Sequence, residues 1–251
     1  MASTGKGKTI ANAKIMQALS KDGQSLRYIL ALGLRTLTLQ TGDSYRHDIG
    51  LSNDELAVLI GSKVVQELHH RSIQNDQKNE INIEEIGSES LEELLDNELD
   101  YDAMPQAEFM NALFPKHQEQ RNKAFLYKPV LACTIDHIIA ATETTRGGKY
   151  ILPCLRLLSS DLVIDEVDDF DGQDLIAIGR LIHLAGMLGR KVMISSATIP
   201  PSLAEGFFNA YQEGWKLYSA FKQQTHPIAC VWVDEFKSLI ETITATDSKE
   251  R

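Results

Sequence analysis

The stretch Ala2-Ser3-Thr4-Gly5-Lys6-Gly7-Lys8-Thr9 decides the reading of the whole chain. It fits the pattern of a phosphate-binding loop, with Ala2 where the strict form has glycine. Glycines let backbone N–H groups turn inward around phosphate oxygens, and a helix starting near Thr9 aims its positive end at the same anion. In that arrangement Thr4, Gly5, Lys6, Gly7, Lys8 and Thr9 cradle the phosphates of a nucleotide such as ATP. Lys8 reaches the β- and γ-phosphates, and the Thr9 hydroxyl ligates Mg²⁺. Lys6 adds positive charge without closing the loop. A flexible Gly/Lys-rich terminus is the competing reading.

A phosphate loop needs a partner strand that ends in acid, and the chain supplies one. Leu162-Val163-Ile164-Asp165-Glu166-Val167-Asp168 is an apolar strand delivering carboxylates at its C-terminal end, where open α/β sheets bind ligands. Asp165 suits the metal shell, and Glu166 suits orienting and deprotonating a water. By itself the stretch is equally an acidic loop, since Asp168, Asp169 and Asp171 continue the run. A third strand, Val192 to Ser195, ends in Ser196-Ala197-Thr198, one βαβ crossover further on. In isolation those small residues read as packing at a strand end.

Between these stretches, short apolar runs alternate with helical ones. Strands are expected at Tyr28–Leu32, Leu56–Ile60, Pro129–Cys133, Asp161–Ile164, Lys191–Ser195 and Ile228–Val233. Helices are expected at Thr9–Leu19, Leu34–His47, Ile135–Ala141, Leu175–Leu188 and Pro201–Phe221. Ser52-Asn53-Asp54-Glu55 offers a helix start that competes with the second strand. The alternation predicts α/β architecture, a parallel sheet with helices on both faces. One lobe is expected over 1–235. Residues 72–123 form a polar surface insertion, and 236–251 are a tail or the start of a linker. Only Met1 precedes the loop, so the strand that leads into it is expected to be missing, leaving its neighbours with unpaired backbone groups.

The formal charge of -10 on 251 residues is localised. Asp76 to Glu108 holds 12 acidic residues against Lys78, and the remainder carries +1. A low pI therefore does not argue against a nucleic-acid partner. No apolar run is long enough to span a membrane, and the N-terminus lacks a secretory apolar core. Cys133, Cys154 and Cys230 are far apart and read as reduced thiols in a cytoplasmic protein. His47-Asp48 reads as a polar helix end, and His69-His70 as surface. Trp215 and Trp232 read as core packing.

Taken together and in order, Ala2–Thr9, Asp165-Glu166-Val167-Asp168 and Ser196-Ala197-Thr198 resemble motifs I, II and III of superfamily 2 helicases. Gly33-Leu34-Arg35-Thr36-Leu37 resembles the Ia element, and Thr134-Ile135-Asp136-His137 the strand end that touches nucleic acid. Ala31 to Gly42, with Cys133–His137 and the acidic strand end, resembles the type I-F CRISPR-associated helicase–nucleases. The resemblance covers roughly Ala2 to Val233.

It implies the first RecA-like lobe of a P-loop NTPase, using ATP and Mg²⁺ to move along single-stranded DNA in CRISPR interference. The family's partners are a guide-RNA surveillance complex and a CRISPR integration protein. Lys8, Asp165 and Glu166 would carry the chemistry. Ser196, Ala197 and Thr198 would couple it to motion, while Arg35, Thr36 and Thr134 would contact nucleic acid. No second lobe, arginine finger or HD nuclease cluster is present, so the chain alone is expected to hydrolyse ATP negligibly. The motifs equally suit a DEAD/DEAH-type RNA helicase. A truncated, non-catalytic interaction module is the non-enzymatic alternative.

Overall fold

The structure is a computed structural model and describes residues 6–60, 119–142, 150–234 and 236–243. His69-His70 and the acidic stretch Asp76–Glu108 lie outside the described residues, as do Ala2 to Gly5.

Five strands form one sheet: β1 (Tyr28–Leu32), β2 (Leu56–Leu59), β3 (Val130–Thr134), β4 (Asp161–Asp165) and β5 (Val192–Ser195). Their order is β2-β3-β1-β4-β5, and every pairing is parallel. The apolar runs read as strands because both faces are covered. Side chains alternate across the sheet. On one face Tyr28, Leu30, Leu32, Val130, Ala132 and Val163 pack with Ala13 and Met16 of α1 (Lys6–Ala18), and with Tyr45 beyond α2 (Arg35–Ser44). On the other, Ile29, Ala31, Leu131, Cys133, Leu162 and Ile164 pack under α6 (Gly172–Met187) and α7 (Pro201–Lys222). Shorter helices α3 (Glu119–Tyr127), α4 (Asp136–Ile139) and α5 (Ile151–Ser159) complete that layer.

Several expectations are corrected. The strands form an unbroken series, so β1, β3 and β4 each have two neighbours. Among the described residues no gap opens inside the sheet. Ser52 and Glu55 do engage each other, with Ser52 N and Oγ donating to Glu55 Oε2 at 2.9 and 2.8 Å. They close a turn rather than start a helix, because pairing of Leu56–Leu59 with buried β3 outweighs the local signal. The helix α1 begins at Lys6, three residues earlier than the sequence places it. Gly7 therefore sits in a helical turn, where it costs about 1 kcal/mol relative to alanine.

The last strand, β6 (Ile228–Val233), does not join the main sheet. It forms an antiparallel hairpin with β7 (Ser238–Ile243), so part of the segment read as a tail is a strand. The hairpin leaves Trp232 52% exposed, against the expectation of core packing. Trp215 fits better: it is half-buried on α7 between Tyr211 and Tyr218, and its Nε1 donates to His226 O at 2.8 Å.

Helix α5, ahead of β4, has no counterpart among the sequence-based elements. It carries Arg156, fully buried beneath the sheet's entry edge. Its guanidinium donates to the carbonyls of Leu126, Lys128, Tyr28 and Pro129 at 2.6–3.3 Å. Arg27 adds bonds to Leu126 O and Tyr127 O. Burial pushes the Arg156 guanidinium down to about 9, with Arg27 adding to the shift.

Candidate active site

Parallel pairing puts the C-terminal ends of the strands on one edge. Leu32 stands opposite Thr134, and Asp165 opposite Ser195. This edge is where a parallel sheet presents unpaired backbone and polar side chains to a ligand.

The turn after β4 sets the acids. Glu166 adopts φ 52 and ψ 52, the left-handed region that a residue with a side chain enters at a cost of about 1–2 kcal/mol. That conformation ends the strand and starts the short 3-10 turn Val167–Asp169. Backbone strain of this kind concentrates at functional sites. The Glu166 carboxylate meets Lys8, whose Nζ lies 2.5 Å from Glu166 Oε1. The two residues are 158 positions apart in sequence. Their side chains are only 10% and 23% exposed, so the contact is partly shielded from water.

Asp165 is buried at 5% exposure. Its Oδ1 accepts the Glu166 N–H at 3.1 Å, and its Oδ2 lies 3.4 Å from Asn12 Nδ2. Burial raises its carboxyl above the ordinary carboxylate range, and the Glu166 charge adds to this. The Ser195 hydroxyl, Lys8 and the Glu166 N–H oppose the rise. Tyr45, buried nearby, is pushed well above the usual phenol range by burial.

The third stretch joins the same edge. Ser196 Oγ donates to Asp168 Oδ1 at 2.5 Å, while Ala197 and Thr198 are exposed beyond it. Phe170 packs over Gly33: a Cβ there would lie 3.2 Å from Phe170 Cε1. The acidic turn thus touches the segment leading to Arg35 and Thr36, which open α2.

The structure therefore brings Lys8, Asp165, Glu166 and Ser196 together, with Thr9 in the first turns of α1. Thr4 and Gly5 lie outside the described residues, and Lys6 and Gly7 are placed as the first helical turn. Thr134 is buried at 2% exposure, so its hydroxyl is covered rather than offered to a ligand. Among the described residues no group of three or more His, Cys, Asp or Glu could hold a metal by itself. His47 Nδ1 lies 2.9 Å from Asp43 O, consistent with a polar helix end. Asn12 is absent from the sequence-based site. Its only signal was a polar residue mid-helix, four positions after Lys8. No helix among the described residues is long and apolar enough to cross a membrane.

No protein-family model matches the chain. It is 44% identical over 252 residues to the CRISPR-associated nuclease/helicase Cas3, subtype I-F/YPEST, of Pseudomonas aeruginosa, covering 95% of this chain. It is 46% identical over 241 residues to the protein of the same description from Pectobacterium atrosepticum, covering 94% of this chain. The chain spans 22% of the length of each of these relatives. Among solved structures, T. fusca Cas3-ATP matches over 97% of this chain and 24% of that one, with a TM-score of 0.55 and 17% identity. T. fusca Cas3 without a stated nucleotide matches similarly, with a TM-score of 0.56 over 95% of this chain and 23% of that one at 18% identity. The shared fold is a RecA-like parallel sheet covered by helices.

Proposed function

We propose that this chain, similar along nearly its whole length to one segment of subtype I-F Cas3 nuclease/helicases, is the ATP-binding lobe of a DNA helicase acting in CRISPR interference. One observation carries the reading. Lys8, from the phosphate-loop stretch, and Glu166, from the acidic strand end, meet at the C-terminal edge of a parallel sheet. Convergence across 158 positions fits a shared nucleotide site, and a dispersed interaction module has no need of it.

The roles follow from the geometry. With ATP in place, Lys8 exchanges Glu166 for phosphate oxygens. Gly7 and the following N–H groups at the start of α1 face the same anion. Thr4, Gly5 and Lys6 complete the loop in this reading. Mg²⁺ suits the donor set, because it binds through one or two protein oxygens and takes the rest from phosphate and water. Asp165 and the Thr9 hydroxyl supply those oxygens. When bound, the ion neutralises charge on the transferring phosphoryl group. Glu166, released from Lys8, orients and deprotonates the attacking water.

Ser196, with Ala197 and Thr198, ties the acidic turn to β5. Through Phe170 and Gly33 the turn also bears on the segment that opens α2, where Arg35 and Thr36 are the residues read as serving a single DNA strand. The lobe, expected over 1–235 with an insertion near 72–123, runs on through β7 (Ser238–Ile243), the partner of β6. A second lobe, single-stranded DNA, a guide-RNA surveillance complex and a CRISPR integration protein are the partners this reading requires.

The test replaces the matched segment of the Pseudomonas aeruginosa relative with this chain and measures phosphate release with and without single-stranded DNA. DNA-stimulated hydrolysis is expected, and Lys8→Ala should abolish it. Equal turnover in the two proteins would refute the assignment.

A further inference from the structure

We infer that Asn12 is a positioning residue for the nucleotide's divalent cation: its side-chain amide fixes the Asp165 carboxylate in the orientation from which that carboxylate takes the ion. This rests on the nucleotide-site reading above and adds a residue that the motifs do not contain.

Asn12 follows Lys8 by one helical turn, so both side chains leave the same face of α1. That face meets the end of β4. Lys8 engages Glu166, and Asn12 approaches the adjacent Asp165, with Nδ2 3.4 Å from Oδ2. Asn12 is 3% exposed and Asp165 5% exposed. An ionised carboxylate only accepts hydrogen bonds, so the amide must turn its nitrogen toward it. Asparagine is a poor choice mid-helix, where its side chain competes for the backbone. Alanine or leucine would serve α1 and its packing better. Its presence in a buried helical position calls for a polar task, and Asp165 is the partner it reaches.

The chemistry of the donor matters. A carboxylate rotates easily about its terminal bond, because that torsion is broad and roughly two-fold. Two oxygens tethered on different sides fix it. Asp165 Oδ1 is held by the Glu166 N–H of its own turn, and Oδ2 by Asn12 from across the sheet edge. These donors and the Ser195 hydroxyl, which also bonds the carboxylate, are all neutral, so none of them cancels the charge offered to a cation. A second lysine at position 12 would cancel that charge. The amide therefore links the helix whose start faces the phosphates to the strand that supplies the metal ligand.

The test uses the full 251-residue chain, a fluorescent ATP analogue, and Mn²⁺ as the probe cation. Nucleotide affinity is measured with Mn²⁺ and again in excess chelator. In the parent chain Mn²⁺ strengthens binding. Asn12→Ala should cut that strengthening about fivefold, leave metal-free affinity within about twofold, and leave the melting temperature unchanged. Asn12→Leu keeps the branched outline of the side chain and raises helix propensity while removing the donor, and should behave as Asn12→Ala does even if the smaller variant packs badly. If both variants respond to Mn²⁺ as the parent does, or lose metal-free and metal-bound affinity equally, the positioning role is overturned while the nucleotide site stands. A parent chain that binds the nucleotide no better with Mn²⁺ than without it overturns the nucleotide-site reading itself.

Discussion

Lys8 is paired with Glu166, and this has a measurable consequence for nucleotide binding. Its ammonium is paired with Glu166 at 2.5 Å, with side chains 10% and 23% exposed. A nucleotide must displace Glu166 to recruit Lys8, so the pair competes with binding. A hydrogen bond to a charged group in such a setting contributes about 1.5–3 kcal/mol, and a neutral one about 0.5–1.5. Glu166→Gln keeps the shape and a neutral acceptor but removes the charge. The difference is on the order of 1–1.5 kcal/mol, which corresponds to roughly fivefold to tenfold in an equilibrium constant. The variant also removes repulsion between Glu166 and the γ-phosphate, which acts in the same direction. Glu166→Gln should therefore bind an ATP analogue about fivefold to tenfold more tightly than the parent chain. In an assembly capable of turnover it should hold ATP without hydrolysing it. Titration of a fluorescent ATP analogue at fixed Mg²⁺, with Lys8→Ala as the reference for lost binding, measures the effect. A Glu166→Gln chain that binds no more tightly than the parent would show that the ion pair does not gate the site.

Arg156→Met should cost about 3–5 kcal/mol, because removing one partner from a buried charged network leaves carbonyls without donors. In a chain of this size that is on the order of a 6–20 °C fall in melting temperature. A change under about 0.5 kcal/mol in urea denaturation would show that Arg27 and the strand ladder already satisfy those carbonyls. Lys128 gives a pH signature. Burial, aided by Arg46 and opposed by Asp54, pulls its ammonium from 10.5 down to about 8. Between those values the unfolded chain holds more protons, so this group's contribution to stability rises with pH, its penalty being full below pH 8. Lys128→Met should be more stable than the parent at pH 7, with the gap narrowing from pH 8 to about 10. A gap independent of pH across that window would refute the assignment.

How much of this was legible in the sequence depends on whether the cause was local. The alternation of apolar runs with helical stretches fixes a parallel sheet, because strands covered on both faces must be apolar throughout. Asp165 and Glu166 could be expected at a ligand-binding edge only in company with the stretch Ala2–Thr9, since an apolar strand ending in acid reads equally as an acidic loop by itself. Leu56–Leu59 was ambiguous, since Ser52 and Glu55 satisfy a helix-start rule locally and only pairing with β3 decides against it. The hairpin partner Ser238–Ile243 carries no strand signal in the sequence, because its side chains are largely exposed and show no buried alternation. Arg156 was invisible as a core residue, because an arginine is buried only where tertiary folding gathers carbonyls around it.

The sequence by itself determined the chemical alphabet of the site and the class of fold, since both depend on residue type and spacing along the chain. Tertiary structure alone decided which residues meet. Lys8 and Asn12 reach Glu166 and Asp165 because α1 crosses the end of β4, a contact between segments more than 150 positions apart. No periodicity encodes that crossing. It follows from the order in which parallel strands stack and the helix faces they leave to be covered.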